Sequence, residues 1–210
     1  MKTPKTFEAD KKTINYYNKN SINYVEKTFN LQLDEQWNEF IAHIKPKGRI
    51  IDIGCGSGRD MIKFQQLGFT TEGLEPSPLM AEIARQNSGS IVHDFPVENL
   101  TLLEQFDGAW ACASLLHVHE RNIRHAIGNI LNSLKDNGCL YFSLKNGSGQ
   151  IRQSDDRLFV YYDESKLLDL IKKFKNIDII RIWTTQDAAQ RTENRWLNCI
   201  LKKARPHQKV

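Results

Sequence analysis

Residues 49–60 read Arg49-Ile50-Ile51-Asp52-Ile53-Gly54-Cys55-Gly56-Ser57-Gly58-Arg59-Asp60. The apolar run Ile50, Ile51, Ile53 reads as a buried strand, and the glycines that follow mark a turn into a helix. Gly54, Gly56 and Gly58 let the backbone turn sharply and touch a ligand where a Cβ would stand in the way. From Arg59 to Leu67 the spacing of Met61, Ile62, Phe64 and Leu67 predicts a helix, closed by Gly68 as its C′ residue. A loop of this kind sets free amides and the positive end of a helix dipole before a ligand.

The glycine spacing separates two ligand classes. A dinucleotide site needs Gly-x-Gly-x-x-Gly, and counting from Gly54 or Gly56 puts Arg59 or Met61 at the third glycine. The spacing present is Gly-x-Gly-x-Gly, preceded by Asp52. In this the chain resembles class I S-adenosylmethionine (SAM)-dependent methyltransferases, from about residue 10 to about residue 203. SAM has no pyrophosphate; its amino-acid end presents a carboxylate and an ammonium, which suit amide donors with an acid nearby. The resemblance implies SAM as cofactor, S-adenosylhomocysteine as product, and Asp52, Gly54, Cys55, Gly56, Gly58 and Arg59 as cofactor contacts. Another nucleotide site on a doubly wound sheet remains the alternative reading of the loop alone.

Further cofactor candidates follow in order. The strand Thr70 to Leu74 ends at Glu75, where an acid in this architecture meets a ribose diol, since a carboxylate can accept from both hydroxyls. Pro76, Ser77 and Pro78 read as a helix start, with Ser77 as N-cap and Pro78 at N1. A short strand, Ile91 to His93, runs into Asp94-Phe95. The resemblance implies that Asp94 bonds the adenine amino group and Phe95 packs on the ring; an ordinary loop carboxylate is the competing account of Asp94.

Composition narrows the class. The 210 residues suit one domain with a real core, and 40% hydrophobic against 26% charged content is globular. No apolar run is long enough to span a bilayer, and the polar N-terminal sequence is not a signal segment, so a cytoplasmic protein without membrane contact is expected. Cys55, Cys112, Cys139 and Cys199 are isolated, three of them in apparent strands, so no metal site is expected. The net charge of +4 draws on Lys202, Lys203, Arg205 and Lys209 near the C-terminus. That is slight support for a nucleic-acid partner, which a short solvated tail explains equally well, and no aromatic-plus-basic platform accompanies it. Nothing in the patterning specifies an oligomeric state.

Two helical stretches, Ile14 to Phe29 and Leu33 to Ile44, precede the first strand, the second with Asp34 as a possible cap and Pro46 beyond its end. The resemblance implies that such a segment covers the cofactor pocket and adds acceptor contacts, for which Tyr16 and Tyr17 are candidates; packing on the sheet would explain them equally. The fourth strand, Phe106 to Ala113, leads into residues 111–119. Ligands lie outside the carboxyl ends of such strands, so Ala111 and Cys112 should face the cofactor. His117 is the candidate catalytic base, since a near-neutral imidazole can take a proton from a nucleophile; a structural His bonded to a backbone carbonyl is the other reading.

The helix Arg121 to Leu134 and the strand Cys139 to Leu144 lead to a polar insertion, Lys145 to Gln150, and on through Arg157 to Tyr161-Tyr162. Insertions above the ligand end of a sheet often recognise acceptors, which makes Arg157 and Tyr161 candidates. Asp163 starts another helix, and two last strands flank the loop from Gln186 to Arg195. Arg195 is either an oxyanion-gripping acceptor residue or the partner of Asp187 across the hairpin. The strings 56–60, 111–118 and 195–198 resemble a bacterial subgroup related to tellurite-resistance and thiopurine-type small-molecule methyltransferases. That subgroup carries Gly-Glu-Gly-Glu where this chain has Gly147-Ser148-Gly149-Gln150.

These readings lead to one α/β domain over residues 1–203, a Rossmann-like, mostly parallel seven-stranded sheet with helices on both faces. The last strand is antiparallel, as the family implies. Residues 10–45 would form an N-terminal helical lid, 46–203 the core, and 204–210 a disordered basic tail. The expected reaction is in-line displacement at the SAM methyl, with a small-molecule acceptor. An RNA or protein methyltransferase and a non-catalytic SAM-binding module are the alternatives.

Overall fold

The computed structural model describes residues 7, 9–191 and 193–205; most of the expected tail lies outside them. The opening strand, β1 (Arg49–Ile53), runs parallel to β2 (Thr70–Leu74) on one side and to β4 (Phe106–Ala111) on the other. Beyond them lie β3 (Val92–His93) next to β2 and β5 (Leu134–Asn146) next to β4. β9 (Arg195–Lys203) runs antiparallel to both β5 and β8 (Ile177–Gln186). The expected seven strands are therefore present in the order β3-β2-β1-β4-β5-β9-β8, with β9, the last in the chain, reversed. Strand order turns back on itself between β1 and β4, which opens a crevice at their carboxyl ends.

The insertion is more ordered than its composition suggests. β6 (Gln150–Arg152) and β7 (Leu158–Tyr162) form an antiparallel hairpin, bringing the sheet to nine strands among the described residues. β7 also pairs in parallel with β5 at Lys145 and Asn146. β9 holds the other edge of Lys145, so β7 takes the edge that β4 uses lower down. Leu158, Phe159, Val160 and Tyr162 are buried, and that continuous apolar run builds a strand over the crevice.

Alternation also assigns the faces. Ile51 and Ile53, Ala109 and Ala111, and Leu140, Phe142 and Leu144 share one core, against Ile123, Ile127 and Ile130 of α5 (Glu120–Ser133) and Leu167 of α6 (Glu164–Ile171). Ile50, Trp110 and Tyr141 point the other way, into Trp37 and Phe40 of α2 (Asp34–Ile41) and Phe64 of α3 (Arg59–Gln66). Each such aromatic or aliphatic side chain contributes about 1.5–3 kcal/mol by leaving water. The α2 N-cap is Leu33 and Asp34 is the first helical residue, so Asp34 does not cap by side chain. Asp163 does cap α6, accepting from the Lys166 amide at 2.8 Å. No helix among the described residues is long and apolar enough to cross a membrane.

α1 (Lys11–Thr28) begins three residues before the expected start because Asp10 caps it, accepting from the Thr13 amide. Its inward face is fastened across the ends of the strands. Thr13 Oγ1 accepts from the Leu158 amide at 2.9 Å, and Asn18 accepts from Ser77 Oγ at 2.7 Å. Ser77 is indeed the N-cap residue of α4 (Pro78–Ser88), with Pro78 following, but its hydroxyl serves α1 and makes no cap bond.

Candidate active site

Two adjoining cavities, of about 120 and about 180 Å³, lie over the β1/β4 crevice with α1 forming a wall of both. Tyr17, Gly54, Gly56, Cys112 and His117 border the two together. Gly54, Gly56 and Gly58 have φ of 70°, 56° and 80°, the left-handed region expected of the glycine loop. A Cβ on Gly54 would lie 2.4 Å from Ser114 Cβ, so the loop can meet the β4 end only as glycine.

The loop amides are not free as the sequence suggested. Gly54 and Cys55 donate to the Leu74 carbonyl, Gly58 donates to the Cys55 carbonyl, and Gly56 donates to Glu75 Oε2 at 3.0 Å. They set the shape of the loop and hold Glu75. The Ser77 amide donates to the other carboxyl oxygen, Oε1, at 2.9 Å. Each oxygen of Glu75 thus uses one lone pair and keeps another for the first cavity, whose wall it forms. Glu75 is 8% exposed, and burial pushes its pKa up to about 7, although the two amides pull it down.

The first cavity suits an adenosine-like ligand. Its walls are mainly apolar, including Leu74, Met80, Pro96 and Val97, with Pro76 and Ser77 beside Glu75. The buried Ser114 Oγ in this wall has no partner among the described residues, nor does the buried Asp52 Oδ2 beneath the loop. An orphaned hydroxyl and a half-used carboxyl in one wall fit a polyhydroxyl ligand. Asp52 itself lines neither cavity; burial, reinforced by the negative charge of Asp60, holds its carboxyl well above the usual range.

Several expected contacts move. Asp94 points outward, 61% exposed and 3.6 Å from Arg85, and neither it nor Phe95 lines a cavity. β3 ends at His93, and the chain reaches the cavity three residues later at Pro96, leading into a 3-10 turn at Val97–Asn99. Its buried Glu98, which the sequence reading missed, supplies the carboxyl on that side. Gly58 and Ala111 line neither cavity. Cys55 and Arg59 line the second cavity, but Arg59 is bound to Asp60, whose carboxylate also accepts from Trp37 and Trp110.

His117 settles where its two readings meet. Its Nδ1 lies 2.6 Å from the Leu158 carbonyl, which can only accept, so Nδ1 carries the proton. Nε2 therefore accepts from the Tyr17 hydroxyl at 2.8 Å. Burial lowers the His117 pKa to about 4. Both nitrogens are engaged and the ring is neutral, so His117 is not presented as a direct base; the geometry matches its structural reading, with the ring lining both cavities beside Tyr17.

On the acceptor side, Tyr17 and Arg157 reach the second cavity, whereas Tyr16, Tyr161 and Arg195 do not. Tyr16 lies under the Arg157 guanidinium, 4.3 Å away. Tyr161 packs beside Gly147, and Phe159, one turn of the pleat away, lines the cavity in its place. The expected Arg195–Asp187 pair is absent among the described residues: Arg191 holds the buried Asp187 with Nε at 3.1 Å and Nη2 at 2.9 Å, and Trp196 also donates to it. Arg195 is exposed at the start of β9.

A family model described as a methyltransferase domain matches residues 24–192. The chain is 28% identical over 138 residues to the Bacillus subtilis (strain 168) protein YqeM, whose methyltransferase name is itself provisional. That alignment covers 62% of this chain, which spans only 56% of the relative's length. The fold resembles the Burkholderia thailandensis 1,6-didemethyltoxoflavin-N1-methyltransferase, solved with 1,6-didemethyltoxoflavin and S-adenosylhomocysteine. The TM-score is 0.73 at 18% identity, covering 97% of this chain and 94% of that one. It also resembles magnesium protoporphyrin IX methyltransferase from Synechocystis PCC 6803 with bound SAM, at TM-score 0.71 and 15% identity, covering 96% and 100%.

Proposed function

The chain belongs to the methyltransferase-domain family, and from that premise we propose that it binds SAM and transfers its methyl group to a small molecule. The observation that carries the cofactor reading is Glu75, a buried carboxyl held by two amides with a lone pair left on each oxygen. Those lone pairs suit the two hydroxyls of a ribose. Ser114 Oγ, in the same wall, offers further polar capacity for the rest of the molecule. When bound, SAM supplies an electrophilic methyl on a sulfonium.

The protein's own part is placement and exclusion of water. Tyr17, Gly54, Gly56, Cys112 and His117 stand where the cavities join, the place for the reacting atoms. The His117 lone pair fixes the Tyr17 hydroxyl, and the Leu158 carbonyl fixes His117, so that wall is rigid. With its pKa near 4, His117 would hold a proton relayed through Tyr17 only weakly at neutral pH. The geometry therefore favours an acceptor that needs alignment more than proton removal.

A small acceptor is favoured because α1 and β7 wall in the second cavity. The two structural neighbours named above act, by their names, on small ring compounds. Residues 10–45 are proposed as the cover of the site, 46–203 as its core. The test is transfer of labelled methyl from SAM to cell extract separated into small molecules, RNA and protein. Label in the small-molecule fraction is expected; label confined to RNA or protein would replace this reading with the macromolecular one, and no transfer with intact SAM binding would favour a non-catalytic module.

A further inference from the structure

We propose that the second cavity is an oxyanion subsite centred on Lys145, so that the methyl acceptor carries a carboxylate or phosphate. The inference rests on the methyltransferase reading and names the acceptor's class within it. Lys145, Arg157 and Arg191 all line this cavity. Arg191 is matched by Asp187, and Arg157 by Asp155 at 2.7 Å. Lys145 takes part in no ion pair among the described residues. It is half-buried, with its ammonium 4.5 Å from the centre of the Phe159 ring, and the Arg157 guanidinium lies 5.1 Å from the same ring.

Two cations over one ring, with a third nearby, repel one another in a site that restricts water. Repulsion from Arg191 and Arg157 adds to burial in lowering the pKa of Lys145. The Phe159 ring and the charges of Asp187 and Glu193 offset part of that repulsion, and a bound oxyanion would relieve the rest and accept charge-assisted hydrogen bonds. The placement also separates this charge from the cofactor. Along β5, Tyr141, Ser143 and Lys145 point to one side and line the cavity in succession. Ser143 Oγ accepts from the Ala113 amide, where the two cavities meet. Lys145 is one step farther out, beneath β7, where an acceptor lying past the methyl would place its far end. Phe159 and Trp196 give that end flat apolar walls.

The test uses the full chain saturated with S-adenosylhomocysteine and 19F NMR titrations of 4-fluorobenzoate against 4-fluorobenzamide, and of 4-fluorophenyl phosphate against 4-fluorophenol. An anion should bind at least tenfold more tightly than its neutral counterpart, and the pair with the larger ratio identifies carboxylate or phosphate. Lys145→Met, which keeps the apolar stem, should reduce the preference below threefold with unchanged S-adenosylhomocysteine affinity, and Lys145→Arg should keep it. Equal binding of anion and neutral probe, binding of neither, or an undiminished preference in Lys145→Met would overturn the proposal. Weaker S-adenosylhomocysteine binding by Lys145→Met would also overturn it, since Lys145 would then serve the cofactor. Failure of the wild-type chain to bind S-adenosylhomocysteine at all would instead remove the cofactor reading on which the subsite rests.

Discussion

Replacing Glu75 by Gln tests the cofactor site through charge alone. The side chain keeps its size but offers one acceptor oxygen, so Gly56 and Ser77 can no longer both donate to it. Loss of hydrogen bonds to a charged acceptor should weaken S-adenosylhomocysteine by about 1.5–3 kcal/mol, or roughly 10- to 150-fold. In the native protein only the ionised carboxylate offers both lone pairs, and its pKa is about 7. Affinity should therefore be near its maximum at pH 8 and fall about tenfold by pH 6, whereas the Gln variant should be weak and flat with pH. Stability shows the opposite dependence. The folded pKa is raised from 4.5 to about 7, so the stabilising contribution is complete below 4.5 and is lost as pH rises through 7. The rise corresponds to about 3 kcal/mol, a slope the variant should lack. Calorimetry and urea unfolding between pH 5.5 and 8.5 measure both effects. Affinity within twofold of wild type in the variant, or pH-independent affinity in the wild type, would refute the assignment.

Two further outcomes follow from the buried network around the site. The His117 imidazole should show no titration above pH 5 by NMR; because its folded pKa is lowered from 6.5 to about 4, its stabilising contribution is lost as pH falls through that window, and an inflection between pH 6 and 7 would contradict the neutral tautomer. Asp60→Asn strips the charge partner from buried Arg59 and weakens the bonds from Trp37 and Trp110, which should cost about 3–5 kcal/mol in a urea titration; a loss under about 1 kcal/mol would show that Arg59 escapes to water.

The strands, their order and the glycine loop were legible because local pattern and fold demand the same residues there. Ile50, Ile51 and Ile53 are buried on both faces, and Glu75 stands one residue past β2 where the crevice opens. Positions that depend on how an irregular segment travels were not legible. Asp94 has the right chemistry and chain position, but the 3-10 turn after it brings Glu98 to the cavity instead. Pairing preferences were also ambiguous: Arg191 and Arg195 are both within reach of Asp187 in sequence, and only the hairpin register, which pairs Gln186 with Arg195, leaves Arg191 to close on it. β7 was hidden because Leu158 to Tyr162 follows a polar, glycine-rich stretch, although its continuous apolar run was a usable signal. The role of His117 required the position of the Leu158 carbonyl, 41 residues away in sequence.

The central claim is that the cavity walled by Gly54, Gly56, Glu75 and Ser114 holds SAM. Titration of the full chain with S-adenosylhomocysteine, followed by the backbone amide shifts of those four residues and of Ser77, tests it most directly. Saturable one-to-one binding that shifts the Gly56 and Ser77 amides, both of which donate to Glu75, is the expected result. No binding at millimolar ligand, or shifts confined to residues outside that cavity, would contradict the account.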